Sequence, residues 1–297
     1  MNDAIIGGKE ITASYTKKGE LLRLMYHTPD FRQFLDFFHT GVKINDSCMI
    51  YLHEDQNNRY QQYYTEDTNV LNTEIENTYF HLKIKQVDFV SMKNSVLVKR
   101  YLFENKNNIN LNVNFLVHSK LLSNPNNMVG SKIENSVLLQ YSHNNTWCMF
   151  SKKEINAHQL NDTDNNIATG VIQDKDYIGM SADSSINYEL GILKPGEKKE
   201  LDIYLYVVDN EKVTKEEMWK NIEAFRKQDA SHEQGLVEKH WKKYVKDHIN
   251  RELLEENSEY AKKFNRVYKR GILLFPLLTN KETGGVVAAI EVDENIT

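Results

Sequence analysis

Near residue 209 the spacing of apolar residues changes from two to about 3.6, and that change divides the chain into a β part and an α part. Before it, Ile109, Leu111, Val113, Phe115 and Val117 alternate with Asn110, Asn112, Asn114, Leu116 and His118, the pattern of a strand with one face in a core. Leu201, Ile203, Leu205 and Val207 alternate with Asp202, Tyr204, Tyr206 and Val208 in the same way, and the Lys194-Pro195-Gly196-Glu197 turn leads into them. Val96-Leu97-Val98, Tyr101-Leu102-Phe103, Met49-Ile50-Tyr51-Leu52 and Tyr79-Phe80-His81-Leu82 read as further short strands. Polar connectors such as Asn105-Lys106-Asn107-Asn108 and Ser123-Asn124-Pro125-Asn126-Asn127 separate them. Strands this short and this numerous imply antiparallel sheets packed face to face.

After the change, Thr214 and Glu217 have capping-box spacing, and Met218, Ile222 and Phe225 mark the stripe of a helix over 215–228. Ser231 and Gln234 repeat the signal ahead of Val237, Trp241, Tyr244, Val245 and His248. A third helix is expected over 258–278. Its apolar residues, Tyr260, Phe264, Val267, Tyr268, Ile272, Leu274, Phe275 and Leu278, cover much of its circumference, as in a helix packed on several sides.

Few motifs carry chemistry by themselves. A net charge of -5 with the two signs interspersed leaves no basic stripe for nucleic acid or an anionic membrane. The first ten residues lack the pattern of a secretory signal, and no run reaches the roughly 18 apolar residues of a membrane span, so the expectation is a cytoplasmic protein. The two cysteines, Cys48 and Cys148, read as buried thiols rather than a disulfide. The stretch Asp162-Thr163-Asp164-Asn165-Asn166 has calcium-loop spacing, but Ile167 holds the position that needs Gly, and a solvated loop is favoured. Glu54-Asp55, Glu66-Asp67 and Asp174 with Asp176 pair carboxylates in polar connectors, where solvation keeps them from acid and base work. His240 and His248 are too far apart on one helix for a shared metal ligand. No metal site, no cofactor and no catalytic residue is assigned.

A resemblance to a known family adds to this. Residues 266–289, with Gly271, Pro276, the Thr283-Gly284-Gly285 turn and Val286-Val287-Ala288-Ala289, resemble the opening of the catalytic barrel in bacterial glycoside hydrolase family 15. Ala13-Ser14-Tyr15-Thr16-Lys17-Lys18-Gly19-Glu20-Leu21 with Leu24-Met25-Tyr26 is similar to the first hairpin of that family's sandwich. Residues 30–34 and 42–46 resemble its clostridial branch in particular. Asp174-Lys175-Asp176-Tyr177-Ile178-Gly179-Met180 and the turn at Pro195 extend the likeness over the whole chain.

The resemblance implies a mainly β fold: a two-sheet antiparallel β-supersandwich of the galactose-mutarotase type over 1–210, linker helices over 211–256, and the first helix of an (α/α)6 barrel over 257–297. It implies a glucoamylase-like enzyme that inverts α-glucosidic bonds of an α-glucan or oligosaccharide. The catalytic carboxylates would lie on barrel helices beyond Thr297, so this chain is expected to be inactive alone. The alternative is a free-standing carbohydrate-binding or interaction module, with Trp147, Trp219 or Trp241 exposed for stacking on sugars; core packing is favoured for all three. The aromatic-rich segment 26–39, with Tyr26, Phe31, Phe34, Phe37, Phe38 and His39, is expected either to face the barrel or to fold onto its own sandwich. Tyr26, Phe38 and His39 are the substrate-rim candidates. Oligomeric state and the preferred sugar stay open.

Overall fold

The computed structural model describes residues 3–29, 33–123, 128–142, 144–161, 163–250, 253–255 and 257–288. Asp30, Phe31 and Arg32, residues 124–127, Asp162 and the segment from Ala289 onward, all named in the sequence reading, lie outside these.

In chain order the strands are β1 (Ala4–Gly7), β2 (Ile11–Tyr15), β3 (Leu21–Tyr26), β4 (Leu35–Ile44), β5 (Ile50–Tyr51), β6 (Asn58–Tyr64), β7 (Leu71–Asn77) and β8 (Leu82–Val90). Then come β9 (Val96–Asn105), β10 (Leu111–Leu121), β11 (Val129–Glu134), β12 (Val137–Ser142), β13 (Asn145–Phe150) and β14 (Ala157–Leu160). A short helix α1 (Asp164–Thr169) precedes β15 (Asp183–Leu193) and β16 (Lys198–Asp209), and α2 (Lys215–Lys227), α3 (Ala230–His248) and α4 (Glu259–Leu278) follow.

An eight-stranded sheet, ordered β11-β12-β13-β16-β9-β8-β7-β6, faces a five-stranded sheet, ordered β14-β15-β10-β4-β5, and the strand pairs are antiparallel throughout. The supersandwich expectation holds. The first three strands form a small sheet of their own, which the sequence reading had not separated.

Leu201, Ile203, Leu205 and Val207 join Leu111, Val113, Phe115 and Val117 in the core between the large sheets. The alternate residues Tyr204, Tyr206 and Val208 are also buried, because α2 and α3 cover the outer face of the eight-stranded sheet with Met218, Ile222, Phe225, Val237, Trp241 and Val245. The second strand is therefore apolar on both sides, as a sheet between two layers requires.

Two boundaries differ from expectation. Ile109 is 54% exposed and β10 starts at Leu111, because the Asn105 amide donates to the Ile109 carbonyl and closes a turn there. Tyr79, Phe80 and His81 form the turn between β7 and β8 rather than a strand; His81 has φ of 52°. The helix starts fared better, with Thr214 and Ser258 as N-caps of α2 and α4. For α3 the cap is Asp229, which accepts from the Ser231 N–H, and Gln234 instead accepts from Arg100 of β9.

The core holds charge. Asp88 and Lys99 face each other in register on β8 and β9, 2.7 Å apart and fully buried, with the Gln86 amide donating to the second carboxylate oxygen. Burial raises the Asp88 carboxyl and lowers the Lys99 ammonium from their ordinary ranges, each partly restored by the other's charge. Nearby, His53 donates from Nδ1 to the Lys18 carbonyl at 2.8 Å, so its Nε2 accepts from Thr40 at 3.2 Å. Burial first, and the Lys99 charge second, pull that imidazole down to about 3.

Candidate functional site

The place where chemistry could be organised is the seat of α4 on the sandwich. Helix α4 has two apolar stripes. Leu273 and Leu277 are buried on one side and join the core under α2 and α3. On that same side Lys269 pairs with Asp67 at 2.9 Å, and Arg270 lies 3.7 Å over the Tyr64 ring while donating to the carbonyls of Thr68 and Ile5. The buried Asn69 amide donates to the Leu273 carbonyl, one turn before Pro276 interrupts the helical ladder. Asp67, expected in a solvated connector, is thus part of the seat.

The opposite stripe carries Tyr260, Phe264, Val267, Gly271, Leu274 and Leu278, spaced alternately four and three apart, with Phe275 beside them. There Tyr260 is 72% exposed, Val267 65% and Phe275 64%.

Beyond α4 the chain reverses. Thr279 bridges Val286 antiparallel, the Val287 N–H donates to the Leu278 carbonyl, and the Asn280 side chain accepts from the N–H groups of Glu282 and Thr283. Gly284 supplies the left-handed residue, φ 74°. The loop meets the β1–β2 turn: Lys281 donates to the carbonyls of Gly8 and Lys9 at 2.9 and 2.6 Å. His27 lies 3.8 Å from Glu282, and Pro29 joins Pro276, Leu277 and Thr279 around a small gap.

The three rim candidates do not converge. Tyr26, 6% exposed, ends β3 in the inter-sheet core, and Phe38, 3% exposed, points into the same core over the Lys99 ammonium. His39 takes the other face of β4, half-exposed, 3.4 Å from Glu20 and stacked on Phe37. Beside it in register stands His118, held by Asp183 at 2.9 Å and Thr163 at 2.6 Å. Segment 33–39 is therefore folded onto its own sandwich, and the part nearest α4 is the start of the segment, His27 and Pro29. The sequence signal there, aromatic density, reported core packing.

Asp174 and Asp176 are exposed and pair with His158. Where a calcium loop was weighed, 164–169 is helix α1, and Ile167 is buried against Met49 and Leu116. His248 bonds the Tyr244 carbonyl and His240 packs edge-on to Trp241. Cys148 is buried, which pushes its thiol up, but Cys48 is exposed in the loop before β5, a correction to the buried pair expected. Trp147 lies between the sheets and Trp241 on the inner face of α3, both buried, and Trp219 of α2 packs half-buried against the core that Trp241 joins. Among the described residues no cluster of three or more His, Cys, Asp or Glu is placed to hold a metal, and no helix is long and apolar enough to cross a membrane. Among the described carboxyl groups only Asp88 is raised above its ordinary range, and it is sealed in the core with its oxygens occupied.

No family model matches the chain. It is 26% identical over 302 residues to an uncharacterized glycosyl hydrolase of Methanocaldococcus jannaschii, which covers 96% of this chain and 46% of that protein. The chain thus spans about half the length of the curated relative it matches. A bacterial glucoamylase solved with acarbose superposes on 98% of this chain and 43% of its own, with a TM-score of 0.74 at 13% identity. A provisionally assigned kojibiose phosphorylase from the human microbiome superposes on 81% of this chain and 35% of its own, with a TM-score of 0.57 at 11% identity. This chain is glycosyl-hydrolase-like in sequence and glucoamylase-like in fold.

Proposed function

We propose that this chain is the supporting part of a glucoamylase-like inverting glycoside hydrolase: the supersandwich over 1–210, linker helices over 211–256, and in α4 the first helix of an (α/α)6 catalytic barrel. The observation that carries the reading is the two-sided α4. Its inner stripe is keyed to the sandwich, while its outer stripe, Tyr260, Val267 and Phe275, is apolar, in register for another helix, and exposed. The reversal at 279–287 supports it, because a chain turned antiparallel to itself at the end of a helix is arranged for an α-α hairpin.

In this reading the α-glucan or oligosaccharide binds in the barrel. Inversion needs a protonated carboxyl and a water-activating carboxylate roughly 6.5–9.5 Å apart, both supplied there. The rim role is carried by the His27 end of segment 26–39, with Tyr26 and Phe38 supporting it from the core and His39 turned away. The chain alone is then expected to release no glucose from maltooligosaccharides above a no-enzyme control, while a polypeptide extended through the barrel does. Turnover by residues 1–297 that is abolished by Asp174→Asn or Asp176→Asn would overturn the proposal and move the site into the sandwich. The module alternative needs Trp147, Trp219 or Trp241 exposed; Trp147 and Trp241 are buried, and Trp219 is half-buried against the helix-covered core.

A further inference from the structure

We propose that Lys281 is a positioning residue: its ammonium, held by the Gly8 and Lys9 carbonyls, clamps the reversing loop 279–287 to the sandwich and so sets where that loop stands in the active enzyme. The significance for catalysis rests on the reading that α4 opens the barrel; the clamp itself rests on the contacts described here.

The loop is closed on itself. Asn280 N–H donates to the Gly285 carbonyl, Gly284 N–H donates back to the Asn280 carbonyl, and Val287 N–H donates to Leu278, all at 2.8–2.9 Å. A loop tied by so few bonds of its own opens more often when nothing outside it holds it in place. Lys281 supplies that hold with two charge-assisted bonds to successive carbonyls. A carboxylate partner would swing on its own side chain; backbone carbonyls do not.

The turn that offers them is closely packed. A Cβ on Gly8 would meet the Ser91 carbonyl oxygen at 2.5 Å, and one on Gly7 would meet Leu277 Cδ2 at 2.9 Å. The Gly8 N–H donates to Ile11 and the Lys9 N–H to Ser91, which leaves the two carbonyls presented to Lys281. The Gly7-Gly8 pair is therefore explained by close approach: β1 and its turn pack directly on α4 and on the end of β8. His27 beside Glu282 gives a second, longer contact on the same loop. Together these make the sandwich the frame against which the loop is placed, at the point where the chain would enter the barrel.

Hydrogen exchange on the 297-residue chain tests the clamp directly. Lys281→Met is expected to speed exchange of the Glu282, Thr283 and Gly284 amides by about 10-fold while β9 and β16 stay protected, and Lys281→Arg, which reaches the same carbonyls, is expected to restore most of the protection. In the extended polypeptide the same Lys281→Met is expected to lower kcat by about 10-fold with KM within about 2-fold, since misplacement costs reaction more than binding. Unchanged exchange in Lys281→Met overturns the clamp whatever the activity. Faster exchange with unchanged kcat in an active enzyme overturns the positioning role. If the extended wild type releases no glucose, the glycosidase reading fails, and the exchange result alone decides the clamp.

Discussion

The sandwich core and the seat of α4 use the same chemistry in different surroundings. In the core, Lys99 meets Asp88 with both side chains essentially inaccessible; in the seat, Lys269 meets Asp67 at nearly the same distance with both partly exposed. The core pair has no water to fall back on, so each charge depends on its partner and on the buried groups around it, the Gln86 amide for Asp88 and the Tyr15 and Phe38 rings for Lys99. At the seat, water can replace either charge of the Lys269–Asp67 pair, and apolar contact by Leu273 and Leu277 does the holding. Distance alone does not rank ion pairs; solvent access does.

The sharpest way to probe the difference is acid. His53 is held neutral at about 3, against 6.5 for a free imidazole. Its contribution to stability is fully present above pH 6.5, where both states are neutral. It is lost as pH falls towards 3, because the unfolded chain takes up a proton that the folded one refuses. Over that window the loss is on the order of 5 kcal/mol. Urea unfolding at pH 7 and pH 4 is expected to show His53→Gln with a distinctly shallower pH dependence than the wild type. Equal slopes would mean that the imidazole is hydrated in the folded state.

Next in size is the buried pair. Lys99→Met leaves the Asp88 carboxylate without its counter-charge and is expected to cost about 3–5 kcal/mol, whereas Lys99→Met with Asp88→Leu should recover most of it. A double variant as unstable as the single would show that strain, rather than unpaired charge, sets the loss. At the seat, Arg270→Ala gives up the Tyr64 ring contact and two carbonyl bonds and is expected to cost about 1–2 kcal/mol, read by thermal unfolding. A loss equal to that of Lys99→Met would erase the distinction between core and seat.

Much of the fold was legible in the sequence. Period-2 runs located β10 and β16, and capping residues located α2 and α4 to within a residue. The core charges were legible too, though unread: Lys99 falls in phase with Leu97, Tyr101 and Phe103, and Asp88 in phase with Ile84 and Val90. The seat was not. Asn69 and Leu273, or Asp67 and Lys269, are about 200 positions apart, and nothing local marks them as partners. Phe38 and His39 show why aromatic composition does not place a side chain: one step along a strand exchanges core for outer face. Tyr79 misled for another reason: Phe80 packs against the core from the turn itself, while Tyr79, 71% exposed, lies edge-on to it.

The smallest expected effect is the most telling for α4. Val267 lies on the outer stripe, 65% exposed, between Phe264 and Gly271 in the four-and-three spacing. In the 297-residue chain Val267→Lys removes little burial and breaks no hydrogen bond, so its effect on thermal unfolding should stay within about 0.5 kcal/mol. In the polypeptide extended through the barrel, the same lysine would sit between packed helices, and burying an unpaired ammonium there is expected to cost several kcal/mol. A matching substitution on the inner stripe, Leu273→Lys, should be severe in both, because that position is already closed against the sandwich. If Val267→Lys were equally mild in both polypeptides, the outer stripe would have no partner helix. The two-sided α4 would then be no evidence for a barrel.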